Sequence, residues 1–234
     1  MKTDLHITDP EFAERFEYFA FNEVINEENQ QLDEKTRYMA ILAALIGCGG
    51  VDAYKEMLPQ ALENGITPIV AKEIVYQATA YLGYGRTLPF LNITNKILTE
   101  IGIELPLDGQ ATTTLDNRLE KGIEAQAEIF GEHMKEAWKT GHINHWLAAN
   151  CFGDYYTRNG LTLAERELIT FCFLMAQGGC EPQLIAHSKG NMNMGNDKAF
   201  LLSVVSQCLP YVGYPRSLNA VNCVQAAAEE MEDN

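Results

Sequence analysis

The sequence lacks the features that would place this protein in a membrane or on a nucleic acid. No apolar run is long enough to span a bilayer, and the polar N-terminus MKTDLHITDPEFAERF has no apolar signal-peptide core. Basic residues are scarce, since 17 lysines and arginines stand against 32 acidic residues, a net charge of −15. Without a span or a signal peptide, we expect a cytoplasmic protein. Because an acidic surface repels phosphate backbones and anionic lipids, we also expect no nucleic-acid partner and no membrane partner.

Cysteine pairs of the Cys-x-x-Cys kind are missing as well. The six cysteines are scattered, and most lie in apolar stretches, which predicts reduced thiols and no disulfide framework. The histidines of HINH (142–145) have no third ligand at a fitting spacing and follow Gly141, so we expect surface histidines in a loop. We therefore expect no metal and no cofactor.

Alternating strand patterns are also missing, whereas helical spacing recurs along the chain. From Leu115 to Trp138, apolar residues return every three or four positions. The stretch ENGITP (63–68) ends one helix and begins the next, with Thr67 as the N-cap and Pro68 as the first helical residue. These patterns predict an all-α protein.

The chain also repeats itself. When residues 32–96 are laid over residues 161–225 with one inserted residue, YLGYGR (81–86) falls on YVGYPR (211–216). Glycines match at the helix ends, which indicates that one helix–turn–helix layout is used twice. We predict a first copy over residues 1–104 and a second over residues 105–234, joined near LPLDGQATTT, which loses the helical pattern.

The two copies differ at three positions that carry chemistry. Glu167, Cys180 and His187 of the second copy align with Tyr38, Val51 and Leu58 of the first. A carboxylate, a thiol and an imidazole therefore stand where the first copy has a phenol and two aliphatic side chains. We predict that the first copy is scaffold and that the second contains the active site.

The stretch GGCEPQLIAH (178–187) predicts how these groups would meet. Its two glycines turn the chain between antiparallel helices, the first running from Glu167 to about Gln177. Cys180 would begin the second helix, where the helix dipole lowers a thiol pKa, although the adjacent Glu181 opposes this. Across the hairpin, Glu167 would come level with His187 and orient it for acid–base catalysis.

Three further residues are candidates for the substrate site. Cys180 and His187 are seven residues apart, about 10 Å along a helix, so only a bridge through Gln183 would join them. Arg216 either holds a substrate carboxylate or has a structural role at a helix end. Tyr156 either lines the pocket or belongs to the core. Structural roles also remain open for the carboxylate, the thiol and the imidazole.

The stretch FGDYYTRNGLTLAERELITFCFLMAQGGCEPQLIAH (152–187), followed by YVGYPRSLNA (211–220), resembles the carboxymuconolactone decarboxylase family. That family shares a fold with the alkyl hydroperoxidase D group, and the first half of the chain resembles it more weakly. The resemblance implies an all-α fold in which the fused copies pack as a pseudo-dimer. It also implies a homotrimer of such chains.

From the residues and the resemblance together we predict one function and keep two alternatives. The first is a thiol-dependent peroxidase, in which Cys180 attacks a peroxide, Glu167 and His187 move the proton, and an external thiol regenerates the enzyme. Hydroperoxidase members have a Cys-x-x-Cys pair, but Gln183 replaces the second cysteine here. The second is a cofactor-free decarboxylase or isomerase that uses His187 on a small carboxylated lactone. The third is an oligomer that binds a small ligand without turnover.

Overall fold

Helices form all the regular secondary structure of residues 5–233, the part of the chain that the computed structural model describes, which confirms the predicted all-α class. The N-terminal segment contains α1 (Leu5–Thr8), α2 (Pro10–Tyr18), the π-helix π1 (Phe19–Glu23) and α3 (Val24–Asn26). The first repeat contains α4 (Glu34–Cys48), α5 (Val51–Glu63), α6 (Pro68–Leu82) and α7 (Tyr84–Glu100).

The second half has the same layout, with a segment of several helices before its four-helix repeat. Its first segment contains α8 (Arg118–Phe130), α9 (Met134–Ala137), a 3₁₀-helix (Trp138–Thr140), α10 (His142–Trp146) and the π-helix π2 (Leu147–Tyr156). The second repeat contains α11 (Leu163–Gln177), α12 (Glu181–Asn193), α13 (Lys198–Val212) and α14 (Tyr214–Glu232). Between residues 5 and 233, no helix is both long enough and apolar enough to cross a membrane.

The two repeats are intertwined, as buried polar contacts between equivalent positions demonstrate. Arg37 on α4 donates from Nε to Gln207 Oε1 on α13, at 3.1 Å. Arg166 on α11 donates from Nη1 to Gln77 Oε1 on α6, at 2.8 Å. Each copy thus supplies an arginine to the glutamine of the other, which is the contact pattern of a pseudo-dimer.

One hydrophobic core contains side chains from both repeats. Helices α4 and α11 cross at its centre, where a Cβ at Gly47 would lie 2.8 Å from the Ala176 Cβ. Because both repeats share this core, the predicted division between residues 104 and 105 does not separate two cores. The assignment of the chain to two copies at this point stays a prediction from the sequence. Residues 105–114 contain no helix, as expected for the junction.

Two local predictions differ from the structure, and one apolar pattern extends over more than one helix. The apolar spacing of 115–138 covers α8, which ends at Phe130, and the short helices after Gly131, whose φ of 104° is in the left-handed region. Helix α11 begins at Leu163, four residues before the predicted start, because Thr162 and Glu165 form a capping box. The HINH stretch lies in α10 and not in a loop, with the His142 ring 5.1 Å from the Trp146 ring.

Candidate active site

The carboxylate and the imidazole predicted from the sequence meet across the α11–α12 hairpin. The hairpin turns at Gly178 and Gly179, whose φ values of 71° and 70° favour glycine. His187 Nδ1 lies 2.8 Å from Glu167 Oε2. Glu167 is 0% exposed and His187 is 9% exposed. The predicted contact is confirmed.

The close approach of the two helices depends on a glycine in α12. A Cβ at Gly190 would lie 2.5 Å from Glu167 Oε2 and 2.8 Å from Phe130 Cε1. Asn191 stabilises the same crossing, because its Nδ2 donates to the Glu167 carbonyl oxygen at 2.9 Å. The absence of a side chain at position 190 therefore leaves room for the carboxylate in front of His187.

A network of hydroxyl groups holds the other oxygen of the carboxylate. Tyr156 donates its single hydroxyl hydrogen to Glu167 Oε1 at 2.8 Å. The Tyr156 oxygen lies 2.7 Å from the Tyr81 hydroxyl and 2.8 Å from Thr170 Oγ1, so these two groups must be the donors to it. Thr170 in turn accepts from Gln77 Nε2 at 2.9 Å. The hydrogen bonds of this network therefore all point toward the carboxylate.

These directions determine where the protons of the pair reside. An ionised carboxylate is only an acceptor, so Glu167 requires a proton on His187 Nδ1. In the neutral imidazole, Nε2 then has the free lone pair. Among residues 5–233, no side chain or backbone group forms a hydrogen bond with Nε2. Nε2 is therefore the nitrogen of the pair that has no hydrogen-bond partner among the described residues.

Aromatic rings enclose the imidazole. The rings of Tyr81 and Phe130 meet it edge-on, at centroid distances of 5.5 Å and 5.3 Å. Burial raises the pKa of Tyr81 and of Tyr156 well above the ordinary value, and the charge of Glu167 adds to the effect. Burial also raises the pKa of Cys151, beside Tyr81, to about 12. These groups stay protonated at neutral pH, so Glu167 is the single negative charge among them.

Cys180 lies apart from the Glu167–His187 pair. It is the N-cap of α12, as predicted, and its Sγ contacts the Leu174 carbonyl oxygen at 3.5 Å and Gln177 Nε2 at 3.7 Å. The predicted lowering of its pKa is wrong. Burial raises the pKa of this thiol and Glu181 raises it further, which outweighs the lowering effects of Gln177 and Arg216.

The predicted substrate-site residues divide between two places. Tyr156 belongs to the Glu167 network. Arg216 and Cys180 instead line a cavity of about 10 Å³, which has room for about one water molecule. Gln183 is exposed and forms no hydrogen bond within residues 5–233, so it does not bridge Cys180 and His187.

The sequence reasoning missed two residues that support the site. Tyr81 and Gln77 are both on α6, in the copy that was predicted to be scaffold. The available signal was the tyrosine shared by YLGYGR and YVGYPR, but nothing in the sequence indicates which of the two tyrosines reaches Glu167.

Comparisons with known proteins agree with the repeated architecture. The family model for the carboxymuconolactone decarboxylase family matches residues 10–96 and 142–226, one match in each copy. The chain is also similar to the 4-carboxymuconolactone decarboxylase of Acinetobacter baylyi. The two are 25% identical over 122 residues, which are 50% of this chain and 90% of that protein.

Proposed function

This chain belongs to the carboxymuconolactone decarboxylase family, and on that premise we propose that it is a cofactor-free carboxy-lyase acting on a small carboxylated lactone. The observation that supports this activity is the buried Glu167–His187 contact of 2.8 Å, which leaves Nε2 of the imidazole free. The similarity to a 4-carboxymuconolactone decarboxylase supports the substrate class. His187 is the acid–base group, and Glu167 orients it.

The proposed reaction needs one proton at a defined place. The bond between the carboxylate carbon and the ring breaks, its electron pair enters the unsaturated lactone, and carbon dioxide leaves. The ring carbon then takes the proton from Nε2 of the His187 imidazolium, and solvent returns a proton to Nε2 afterwards. Glu167 supports this step because a carboxylate on Nδ1 stabilises the imidazolium.

The position of Arg216 does not support its predicted role in binding the substrate carboxylate. Its guanidinium lies at the Cys180 cavity, with Nε 3.5 Å from the place of a Cβ at Gly178. The aromatic enclosure of His187 favours a small, flat substrate whose ring packs against Phe130 and Tyr81.

Release of carbon dioxide from small carboxylated lactones tests the proposal. We expect His187→Asn to lower kcat about 10²- to 10⁴-fold, the usual contribution of a general acid. Cys180→Ser is the matched control and should keep the activity within about twofold, because its side chain does not contact the pair. Activity that depends on Cys180 and not on His187 would overturn the proposal.

A thiol peroxidase using Cys180 is the second candidate, and the Arg216 guanidinium beside the thiol favours it by acting to lower the thiol pKa. The thiolate would attack the peroxide, forming an S–O bond as the O–O bond breaks, and an alcohol would leave after protonation. One external thiol would then displace water from the sulfenic acid, and a second would reduce the mixed disulfide. Intact mass after one equivalent of alkyl hydroperoxide, beside Cys180→Ser, tests this reaction.

A ligand-binding oligomer without turnover is the outcome if both assays are negative. We also propose that the chain forms a homotrimer in the cytoplasm. An apolar row on the outer face of α14 supports self-association, because Tyr214 and Leu218 are 62% and 61% exposed. Light scattering coupled to size-exclusion chromatography would test the trimer, and a monomer mass of 26.1 kDa would refute it.

A further inference from the structure

We infer that Tyr81, which the first copy contributes, is a positioning residue for the Glu167–His187 pair of the second copy and acts through Tyr156. The inference rests on the proposed acid–base role of His187. Tyr81 donates to the Tyr156 oxygen at 2.7 Å, and Tyr156 donates to Glu167 Oε1 at 2.8 Å. The copy predicted to be scaffold thus supplies a part of the site.

The repeat provides an internal comparison for this role. Tyr211 is the counterpart of Tyr81 in the aligned sequences. The Tyr211 hydroxyl is buried and has no hydrogen-bond partner in residues 5–233, and its ring meets Phe16 edge-on at 6.0 Å. Tyr38 occupies the position that aligns with Glu167, so the first copy has no carboxylate at the equivalent place. Of the two aligned tyrosines, Tyr81 is therefore part of a hydrogen-bond chain, whereas Tyr211 has no such partner among the described residues.

The physical effect of Tyr81 follows from the direction of the bonds. Donation from Tyr81 polarises the Tyr156 hydroxyl and strengthens the bond that Tyr156 gives to Glu167. The carboxylate then has less negative charge to offer His187 Nδ1. The imidazolium is stabilised less strongly, so its Nε2–H remains acidic enough to release the proton to the substrate.

The surroundings of the pair contain few other groups that could produce the same effect. Helix π2 presents Tyr156 and Cys151, and α6 presents Tyr81. Helix α8 places the apolar side chains of Ile129 and Phe130 against Gly190. Helix α14 also packs against α12, and its Glu230 pairs with Lys189.

The experiment compares Tyr81→Phe with Tyr211→Phe in the full chain. Nitrogen-15 NMR of the His187 ring, in protein without any substrate, gives the midpoint of its titration. We expect Tyr81→Phe to move that midpoint upward by about 0.2 to 0.6 pH unit. Without the Tyr81 hydroxyl, Tyr156 donates less strongly to Glu167, so the carboxylate keeps more negative charge and stabilises the imidazolium more. Tyr211→Phe should leave it unchanged. With a lactone that is turned over, the alkaline limb of the pH–rate profile should move equally, with kcat lowered several-fold and KM unchanged.

The two readouts separate the possible failures. If no lactone is decarboxylated but the midpoint moves, the proposed function fails and the influence of Tyr81 on the pair stands. If the midpoint and the profile of Tyr81→Phe match those of Tyr211→Phe, the inference is overturned. Should Tyr81→Phe not fold, 3-fluorotyrosine at position 81 keeps the hydroxyl and is a stronger donor. It should move the midpoint downward, and an unmoved midpoint would overturn the inference equally.

Discussion

Replacement of Gly190 by alanine should cost stability and activity together. In an unobstructed helix interior, glycine to alanine stabilises by about 1 kcal/mol. At position 190 the new Cβ would meet Glu167 Oε2 at 2.5 Å, Phe130 Cε1 at 2.8 Å and Ile129 Cγ2 at 3.0 Å. Such overpacking costs about 1–3 kcal/mol, and two contacts below 3.0 Å place this case in the upper part of that range. The free energy of unfolding should therefore fall by about 1–2 kcal/mol.

The loss of activity in Gly190→Ala should exceed the loss of stability. The atom that must move is Oε2 of Glu167, which contacts His187 Nδ1 at 2.8 Å. A displacement of about 1 Å in catalytic geometry costs about 100-fold in rate, and we expect that order of loss in kcat/KM for lactone decarboxylation. Urea unfolding and steady-state kinetics on one preparation would measure both quantities.

Gly85 provides the matched control for this variant. It is exposed in α7, and a Cβ there would meet nothing within 4 Å. Gly85→Ala should therefore stabilise the protein by up to about 1 kcal/mol and leave the rate unchanged. A Gly190→Ala protein that gains stability like this control and keeps its full rate would refute the reasoning, because the space at Gly190 would then have no role in holding the carboxylate.

The other predictions concern the network, the thiol and the copy-to-copy contacts. In Glu167→Gln, Tyr156 keeps the amide oxygen and the amide nitrogen donates to His187 Nδ1, so the neutral ring is protonated on Nε2. We expect kcat to fall about 10²- to 10⁴-fold, and an unchanged tautomer by nitrogen-15 NMR would contradict this reason. Cys180 should react with iodoacetamide at pH 8 more slowly than free cysteine, because burial and then Glu181 raise its pKa and lower its thiolate fraction. A faster reaction would favour the peroxidase. Gln77→Leu should lower the free energy of unfolding by about 1–3 kcal/mol, because it leaves the buried Arg166 short of an acceptor, and equal urea midpoints would count against it.

The sequence predicted the parts of the site that depend on local signals. Two glycines and Pro182 are sufficient to define the α11–α12 hairpin, and the hairpin brings Glu167 level with His187. Thr67 and Pro68 likewise mark the start of α6, where the structure has the N-cap and the first helical residue. These features rely on backbone conformations that particular residues favour wherever they occur.

The features that the sequence did not predict depend on contacts between distant segments. The Tyr81–Tyr156 bond joins residues 75 positions apart, and helical spacing within either segment does not indicate it. The pKa of Cys180 rises because tertiary packing removes the thiol from water, whereas the helix N-terminus alone predicts a lowering. The apolar spacing from Leu115 to Trp138 continues across Gly131, so periodicity alone does not indicate the end of α8 there.

The fusion of the two copies permits each half to change independently of the other. In a dimer of identical chains, every substitution appears twice, so a residue that builds one site must also be tolerated at its twin. A single chain removes that constraint, and Glu167 can oppose Tyr38 across the pseudo-symmetry. The buried Tyr211 hydroxyl, which has no partner among the described residues, is what the duplicated pattern leaves in the half that acquired no carboxylate. In a single chain, the half that contains Glu167 and His187 can therefore differ from the half that has Tyr38 and Leu58 at the aligned positions.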